Sequence, residues 1–363
     1  MSSYHLIRLH VETPLHLGTS RAEYDRAADY LHADTLYSAV IQAWAELGVQ
    51  SPVFDPIAAP AGETLDLNLG FTLSSLFPFH GWAEGYRYFF PAPLGLLSER
   101  AGALGLSHED QKKLKKIRFI DVALLTQLLR EGPSKAMGDR ISGLVSSAGS
   151  GFLSASPDGF QPFYEKQTVS RNAVPPGWDS ASDTVIFYME RLAFTAGSGL
   201  FGLVHCEDDV AWQRLLTALR YLQDEGLGSD RHTGHGLFHL ETAELPGELA
   251  DLLTTPAQEG YRINLSLFCP SKEELPGMIK GDHVRYRLKK RGGWIGRAPY
   301  LSLRKNGVYM FEEGGIFRSD QVVAGKTVNL RPDLSSLGHD VSHPIYRVGR
   351  SLFLPINLFD HDA

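Results

Sequence analysis

The residues best equipped for chemistry lie in Gly226–Phe238, GLGSDRHTGHGLF, where four glycines in thirteen residues alternate with Ser229, Arg231, His232 and Thr233. Glycine admits positive φ and lets a backbone approach a ligand closely. Consecutive N–H groups in such a turn can cradle a phosphate, and Arg231, Ser229 and Thr233 are donors suited to the same ligand. The stretch lacks the Lys-Ser/Thr ending of a P-loop. It also has a helix before it and a strand after it, the reverse of a dinucleotide fingerprint. Two readings stand: phosphate contact without nucleotide hydrolysis, or a tight connection between helix and strand.

The histidines give no comparable pattern. His232, His235 and His239 are spaced as if for a metal, but a glycine-rich loop does not put three rings on one face, and no carboxylate or cysteine completes a site. No metal and no cofactor are expected. His16, His32 and Asp34 cluster around a predicted helix start. A histidine beside a bound phosphodiester can move the 2′-OH proton. Asp34 is read as an N-cap whose carboxylate accepts from backbone N–H. No catalytic set emerges.

Charge is distributed unevenly. Lys112, Lys113, Lys115, Lys116 and Arg118 form one basic run, and Arg285, Arg287, Lys289, Lys290 and Arg291 a second, with no acid in either. Without these ten, 25 Lys and Arg remain against 42 Asp and Glu, and the whole chain carries −7. Cations gathered on an otherwise acidic chain offer a local track to a polyanion. In an extended segment Arg285, Arg287 and Lys289 share a face, with Tyr286 or Trp294 placed to stack a base; the alternative is a solvated strand beside a buried Trp294. Gln167–Pro176, with Ser170-Arg171-Asn172 followed by Pro-Pro, reads as the base of a projecting loop or hairpin.

The elements that must hold these residues are legible from periodicity. Tyr4–Glu12 reads as a strand and Leu15–Gly18 as a short extended piece. Leu36, Val40, Trp44 and Leu47 recur at helical spacing, widened by Tyr37 and Ile41 and stopped by Gly48. Leu65–Leu73 alternates as one strand. Thr184–Phe194 and Gly199–Val204 read as two strands joined by the turn 195–198, dense enough in apolar residues to be buried on both faces. Asp209–Glu225 is a helix with Val210, Leu215, Leu216, Leu219 and Leu222 as its stripe, and Leu237–Thr242 is the strand after the glycine-rich loop. With 363 residues, of which 43% are hydrophobic, there is material for two or three domains or one large one. Two cysteines and no long apolar run point to a reducing cytoplasm and to no membrane span.

Five segments, in order, resemble a known family. Leu31–Val40 (LHADTLYSAV) is similar to the helix start of RAMP-superfamily subunits of type III-A CRISPR (Csm) complexes, and GLGSDRHTGHGLF to their glycine-rich loop. KKLKKIRFI, the Ser170–Asn172 region and Leu301–Phe317 (LSLRKNGVYMFEEGGIF) resemble three further stretches. Departures are Ser229 for a second glycine, Ala33 for Ser, no Asp before Arg171, and Gly315 for Ser.

The resemblance points to the subunit that holds the 5′ tag of the CRISPR RNA. It implies an α+β fold of two ferredoxin-like (RRM-like) βαββαβ domains. The first would span 1–245, with an insertion at 74–165, a thumb-like loop around 166–184 and the glycine-rich loop after its second helix. A degenerate second domain would span 246–363. The implied RNA contacts are His16, Gly18, Lys112, Lys116, Arg171, Asn172, Arg231, Gly234, Gly236 and Trp294, to which the second basic run adds Arg285 and Arg287. The implied partners are the CRISPR RNA, the large polymerase-like subunit and the backbone RAMP subunit, and such subunits are generally noncatalytic. Two rival readings are a metal-independent endoribonuclease of the same superfamily, using His16 or His32, and a sugar- or nucleotide-binding enzyme using the glycine-rich loop.

Overall fold

In the computed structural model all residues are described except 1, 19–23, 51–52, 54–63, 66, 83–84, 100–103, 133, 146–150, 156–162, 174–184, 255–259, 296–299, 301–302, 320–322, 334–340, 342 and 359–363. Chain order begins β1 (Ser3–Val11), α1 (Ala33–Leu47), β2 (Phe71–Leu73), β3 (Phe77–Trp82), β4 (Gly85–Pro91), β5 (Phe119–Asp121), α2 (Val122–Glu131) and β6 (Phe152–Leu153). Then come β7 (Tyr164–Ala173), β8 (Val185–Phe194), β9 (Ser198–Cys206), α3 (Asp209–Glu225) and β10 (Phe238–Ala243).

One sheet dominates, in the order β10-β1-β9-β3-β4-β5-β6, with β2 also pairing β9. Strand β1 is central and antiparallel to both neighbours, with Leu6 opposite Leu203 and Leu9 opposite Leu240. Alternation along β1 divides the core: Ile7 and Leu9 pack under α1 and α3, whereas Leu6 joins the cluster on the opposite face. Helix α1 buries Leu36, Tyr37, Val40 and Trp44 on that sheet, each contributing roughly 1.5–3 kcal/mol. It ends where Gly48 turns left-handed at φ 66 and its N–H bonds back to Ala45 and Trp44. Helix α3 starts at Asp208, whose carboxylate accepts from the Ala211 N–H at 2.7 Å.

Several elements differ from the sequence expectation. Leu65–Leu73 is not one strand: Thr64–Leu65 pairs in the C-terminal half while β2 joins the main sheet, and Gly70 at φ 76 breaks the run between them. β8 does not pair with β9. It forms a separate two-stranded ribbon with β7, in continuous register from Tyr164↔Phe194 to Ala173↔Val185. Its outer end is therefore not buried: Ile186 and Tyr188 are exposed, as is Val210 on α3. The stretch expected as an insertion adds β3–β6 to the main sheet and carries α2 where a helix is expected, with N-cap Asp121 accepting from the Ala123 N–H.

The C-terminal half comprises β11 (Tyr261–Asn264), β12 (Leu288–Arg291), β13 (Val308–Phe311), β14 (Ile316–Arg318), β15 (Gly325–Asn329), β16 (Tyr346–Arg350) and β17 (Phe353–Pro355). These form three small sheets, β14-β11-β17, β12-β13 and β16-β15 with Thr64–Leu65 added. Pro246 leads into the helix Gly247–Thr254, which buries Leu249 and Leu252. One apolar cluster runs from Phe77, Phe79 and Leu203 of the main sheet to Ile263, Phe311 and Leu354 of the C-terminal half, so the two halves share a core. Among the described residues no helix is long and apolar enough to cross a membrane.

Candidate nucleic-acid interface

A groove of about 340 Å³ opens where Leu15–Gly18, the exposed side of α1 and the glycine-rich loop converge; its walls include His16, Gly18, His32, Ser38, Arg231 and Arg291. His16 is built in. Its ring is buried, and Nδ1 donates to the Glu190 carbonyl at 2.6 Å, which fixes the proton on Nδ1 and leaves Nε2 as the free edge. Its backbone forms a bridge with Ser229, whose N–H donates to the His16 carbonyl at 3.1 Å. That bridge explains two of the glycines. A Cβ on Gly228 (φ 83) would lie 2.4 Å from the His16 carbonyl oxygen, and one on Gly236 (φ 76) would lie 1.9 Å from that of Leu227. These glycines let three backbones pack together, and the donors between them are thereby held at the groove wall.

The ribbon β7–β8 is anchored beside the same loop. Asp230 Oδ2 accepts from Arg171 Nη2 at 2.6 Å and from Arg191 Nη2 at 2.9 Å. Burial opposes the charge on Asp230, but the two guanidiniums outweigh it and hold the carboxyl below its ordinary value. Further along, Asp29 gathers Arg118, Lys166 and the Tyr164 hydroxyl, which ties the end of the first basic run to the ribbon.

Beneath the groove lies a buried ionic network. Asp34 is not an N-cap: the cap residue is His32, and Asp34 sits in the first turn of α1 with its side chain wholly buried. Arg291 grips it with Nε–Oδ2 at 2.7 Å and Nη2–Oδ1 at 3.0 Å, and Arg347 Nη1 reaches Oδ2 at 2.5 Å. An N-cap carboxylate needs backbone N–H partners, whereas two guanidiniums from the C-terminal half offer stronger, charge-assisted ones. Burial alone would raise the Asp34 pKa; Arg347 and Arg291 override it and pull it far below the usual carboxylate range. The neighbouring Lys305 is lowered to about 8, by burial first and then by Arg347, with Asp34 opposing.

A second pair repeats the theme. His32 Nδ1 bonds Glu313 Oε1 at 2.8 Å, and the same carboxylate accepts from Ser75 Oγ at 2.5 Å and from the Tyr30 hydroxyl at 3.0 Å. Thus Leu31–Val40 and Leu301–Phe317, two segments that carry the family resemblance, are bonded to each other across the halves. Of the latter, residues 301 and 302 lie outside the described residues.

The groove draws in some of the expected contacts and not others. His16, Gly18 and Arg231 line it, and Arg171 stands beside it through Asp230. Asn172 and Gly234 are exposed nearby, while Gly236 is consumed in backbone packing. Lys112 and Lys116 lie exposed at and just beyond the end of the helix His108–Leu114, away from the groove wall. Arg285 donates to the carbonyls of Asp282 and Val284, and Arg287 is exposed outside the groove. Trp294 bridges Arg304, whose guanidinium sits 4.9 Å from its ring centroid. Lys289 lies in the strand Leu288–Arg291, whereas Arg285 pairs separately with Ile316. Arg291 and Arg191 were missed as site residues. Arg291 belongs to the run that was singled out, but only its long-range partner Asp34 selects it from its neighbours.

The chain is similar to known proteins over most of its length. The model of the CRISPR Csm4 C-terminal domain matches residues 257–356. A CRISPR system Cms protein Csm4 from Thermococcus onnurineus (strain NA1) is 26% identical over 336 residues, 91% of this chain and 93% of that protein. The C-terminal region thus matches a domain of the Csm4 family, and the chain is similar to a Csm4 protein over nine-tenths of its length. A second Csm4, from Streptococcus thermophilus, is 25% identical over 177 residues, 48% of this chain and 54% of its own length. In fold, the chain resembles a chain of a Csm3–Csm4 subcomplex from the type III-A CRISPR-Cas interference complex, with TM-score 0.63, 16% identity and 97% and 99% of the two chains covered. It also resembles a chain of a Csm1–Csm4 cassette in complex with cA4, with TM-score 0.57, 19% identity and 99% and 100% covered. These likenesses establish a mixed α+β fold shared with that family.

Proposed function

We propose that this protein is a noncatalytic RNA-binding subunit of a type III-A CRISPR interference complex, working in the cytoplasm for antiviral defence. It would seat the 5′ repeat-derived tag of the CRISPR RNA in the groove between Leu15–Gly18, α1 and the glycine-rich loop. The single observation that carries this reading is the convergence of His16, Gly18, Arg231 and Arg291 on one groove wall, with Arg171 at the ribbon base beside it. A single-stranded RNA needs phosphate cations, backbone donors and polar groups for its base edges, and needs no basic protein overall.

The large polymerase-like subunit and the backbone RAMP subunit are proposed partners, since the solved relatives are a Csm1–Csm4 cassette and a Csm3–Csm4 subcomplex. The ribbon β7–β8 is the proposed thumb of an N-terminal unit ending near residue 245. A ferredoxin-like N-terminal unit is supported by the order β10-β1-β9-β2 around the sequence β1-α1-β2-β9-α3-β10. The C-terminal unit, 246–363, is read as a degenerate copy.

Fluorescence anisotropy of the purified protein with labelled tag RNA, over a salt series, tests the assignment. Arg231→Ala is expected to weaken binding and to flatten the log–log salt slope by about 0.7 per lost phosphate contact. An unchanged slope removes Arg231 from the footprint, and no binding at all refutes the reading.

One observation favours a second reading: His16 and His32 line the same groove, each bonded through Nδ1. Two rings on one phosphodiester site are the parts of a metal-independent endoribonuclease. Incubation with labelled precursor RNA in EDTA distinguishes the two: specific scission that is lost in His16→Ala supports the enzyme, and intact RNA supports the binding subunit.

A further inference from the structure

Two guanidiniums meet one carboxylate at the base of the ribbon. Arg171 and Arg191 project from facing strands, and both donate to the same oxygen, Oδ2 of Asp230. Arg191 is held in place, with a side chain only 9% exposed and an Nε that is buried and without a partner. Arg171 is 32% exposed, so the site opens to solvent on one side. His235 borders the cluster, and the pull of burial and of Arg191 keeps it below its ordinary value. The site therefore carries one net positive charge.

Asp230 is an unusual occupant. At φ 66 it is the one non-glycine residue in the left-handed region among the described residues. It stands at the cap of the 3-10 turn Arg231–Thr233, yet its side chain makes no cap bond. Its carboxylate thus serves the two arginines and not the turn. A carboxylate oxygen that accepts from two guanidiniums has the charge and acceptor geometry that a non-bridging phosphate oxygen would have.

We propose that Arg171 and Arg191 form a phosphodiester site which Asp230 fills in the free protein, and that a phosphate of the bound single-stranded RNA displaces it. The exchange replaces one negative charge by another, so the buried Arg191 never loses its counter-ion. The loop Asp230–Gly234 loses that tether in the same step, and a Cβ built on Gly234 meets nothing within 4 Å, so this end of the loop faces open space. This inference rests on the RNA-binding reading above and adds to it a contact residue, Arg191, and a competitor, Asp230.

The test is Asp230→Asn, which keeps the left-handed backbone, since Asn tolerates that region, and removes only the charge. Anisotropy with a labelled single-stranded RNA of mixed sequence is read across a salt series, with circular dichroism checking the fold. The variant is expected to bind at least about fivefold tighter than wild type, with the log–log slope steeper by about 0.7. Arg191→Gln is expected to bind more weakly than wild type, and in the Arg171→Gln/Arg191→Gln background adding Asp230→Asn should change nothing. A wild type that binds RNA while Asp230→Asn binds equally or more weakly overturns the exchange and leaves the RNA-binding reading intact. If Asp230→Asn does not fold, Arg191→Gln binding like wild type overturns it instead. A wild type that binds no RNA overturns both.

Discussion

The Asp34 network permits the sharpest stability prediction. In Asp34→Asn the amide can still accept one N–H, but its NH2 group faces a guanidinium, and Arg291 and Arg347 lose their shared counter-charge. All three groups are out of solvent: the carboxylate is 0% exposed, and Arg291 and Arg347 are 13% and 7% exposed. Little screening is therefore available. Breaking a buried pair by removing one partner costs about 3–5 kcal/mol. At about 2.1 cal/mol/K per residue, 363 residues unfolding together have an entropy near 0.8 kcal/mol/K. The melting temperature should then fall by about 5 °C by scanning calorimetry at pH 7.

The pH profile gives an independent check. The folded pKa of Asp34 is depressed from an ordinary 3.8. Its stabilisation is therefore complete above that value and lost as pH falls below it toward the folded pKa. Asp34→Asn should flatten this acid limb. A drop of less than about 1 °C, or an acid limb as steep as wild type, would show that the arginines find other compensation and that the pair does not hold the halves together.

Lys305 runs the opposite way. With a folded pKa near 8 against an ordinary 10.5, the unfolded chain holds its proton longer, so stability should rise between about pH 8 and 10.5. Lys305→Met should abolish that rise and stabilise the protein at pH 7 by about 3 kcal/mol, as read from urea midpoints at several pH values. Gly236→Ala places a Cβ 1.9 Å from the Leu227 oxygen at φ 76; it should separate the loop from Leu15–Gly18, lowering both the melting temperature and RNA affinity. Gly234→Ala, with open space around it, should cost only about 1 kcal/mol of left-handed strain in the same two assays.

Local patterns carried the elements well. The glycine stop of α1, both ends of α3 and the strand after the loop are where periodicity and capping place them, and the α1 stripe holds through Trp44, with Leu47 exposed beyond it. Failures came where partners are remote. Asp34 has a capping residue's type and position, yet its carboxylate is claimed by arginines 257 and 313 residues away. β8 reads as doubly buried because apolar density is visible in the sequence and the pairing partner is not; bonded to β7 instead of β9, it leaves Ile186 and Tyr188 exposed. The site was half legible for the same reason. The glycine-rich loop and His16 were singled out by composition, but which basic residue of a run reaches the groove depends on where β12 begins.

The bond from Asp34 to Arg347 also bears on how the molecule is made. Synthesis from the N-terminus delivers α1 early, while Arg291, Glu313 and Arg347 emerge late, so a nascent chain holds His32 and Asp34 with no counter-ions for most of its time on the ribosome. Contacts spanning such separations are slow to form. The wall that Arg291 completes is therefore among the last surfaces to assemble, and an unfinished polypeptide presents that groove with one side still missing.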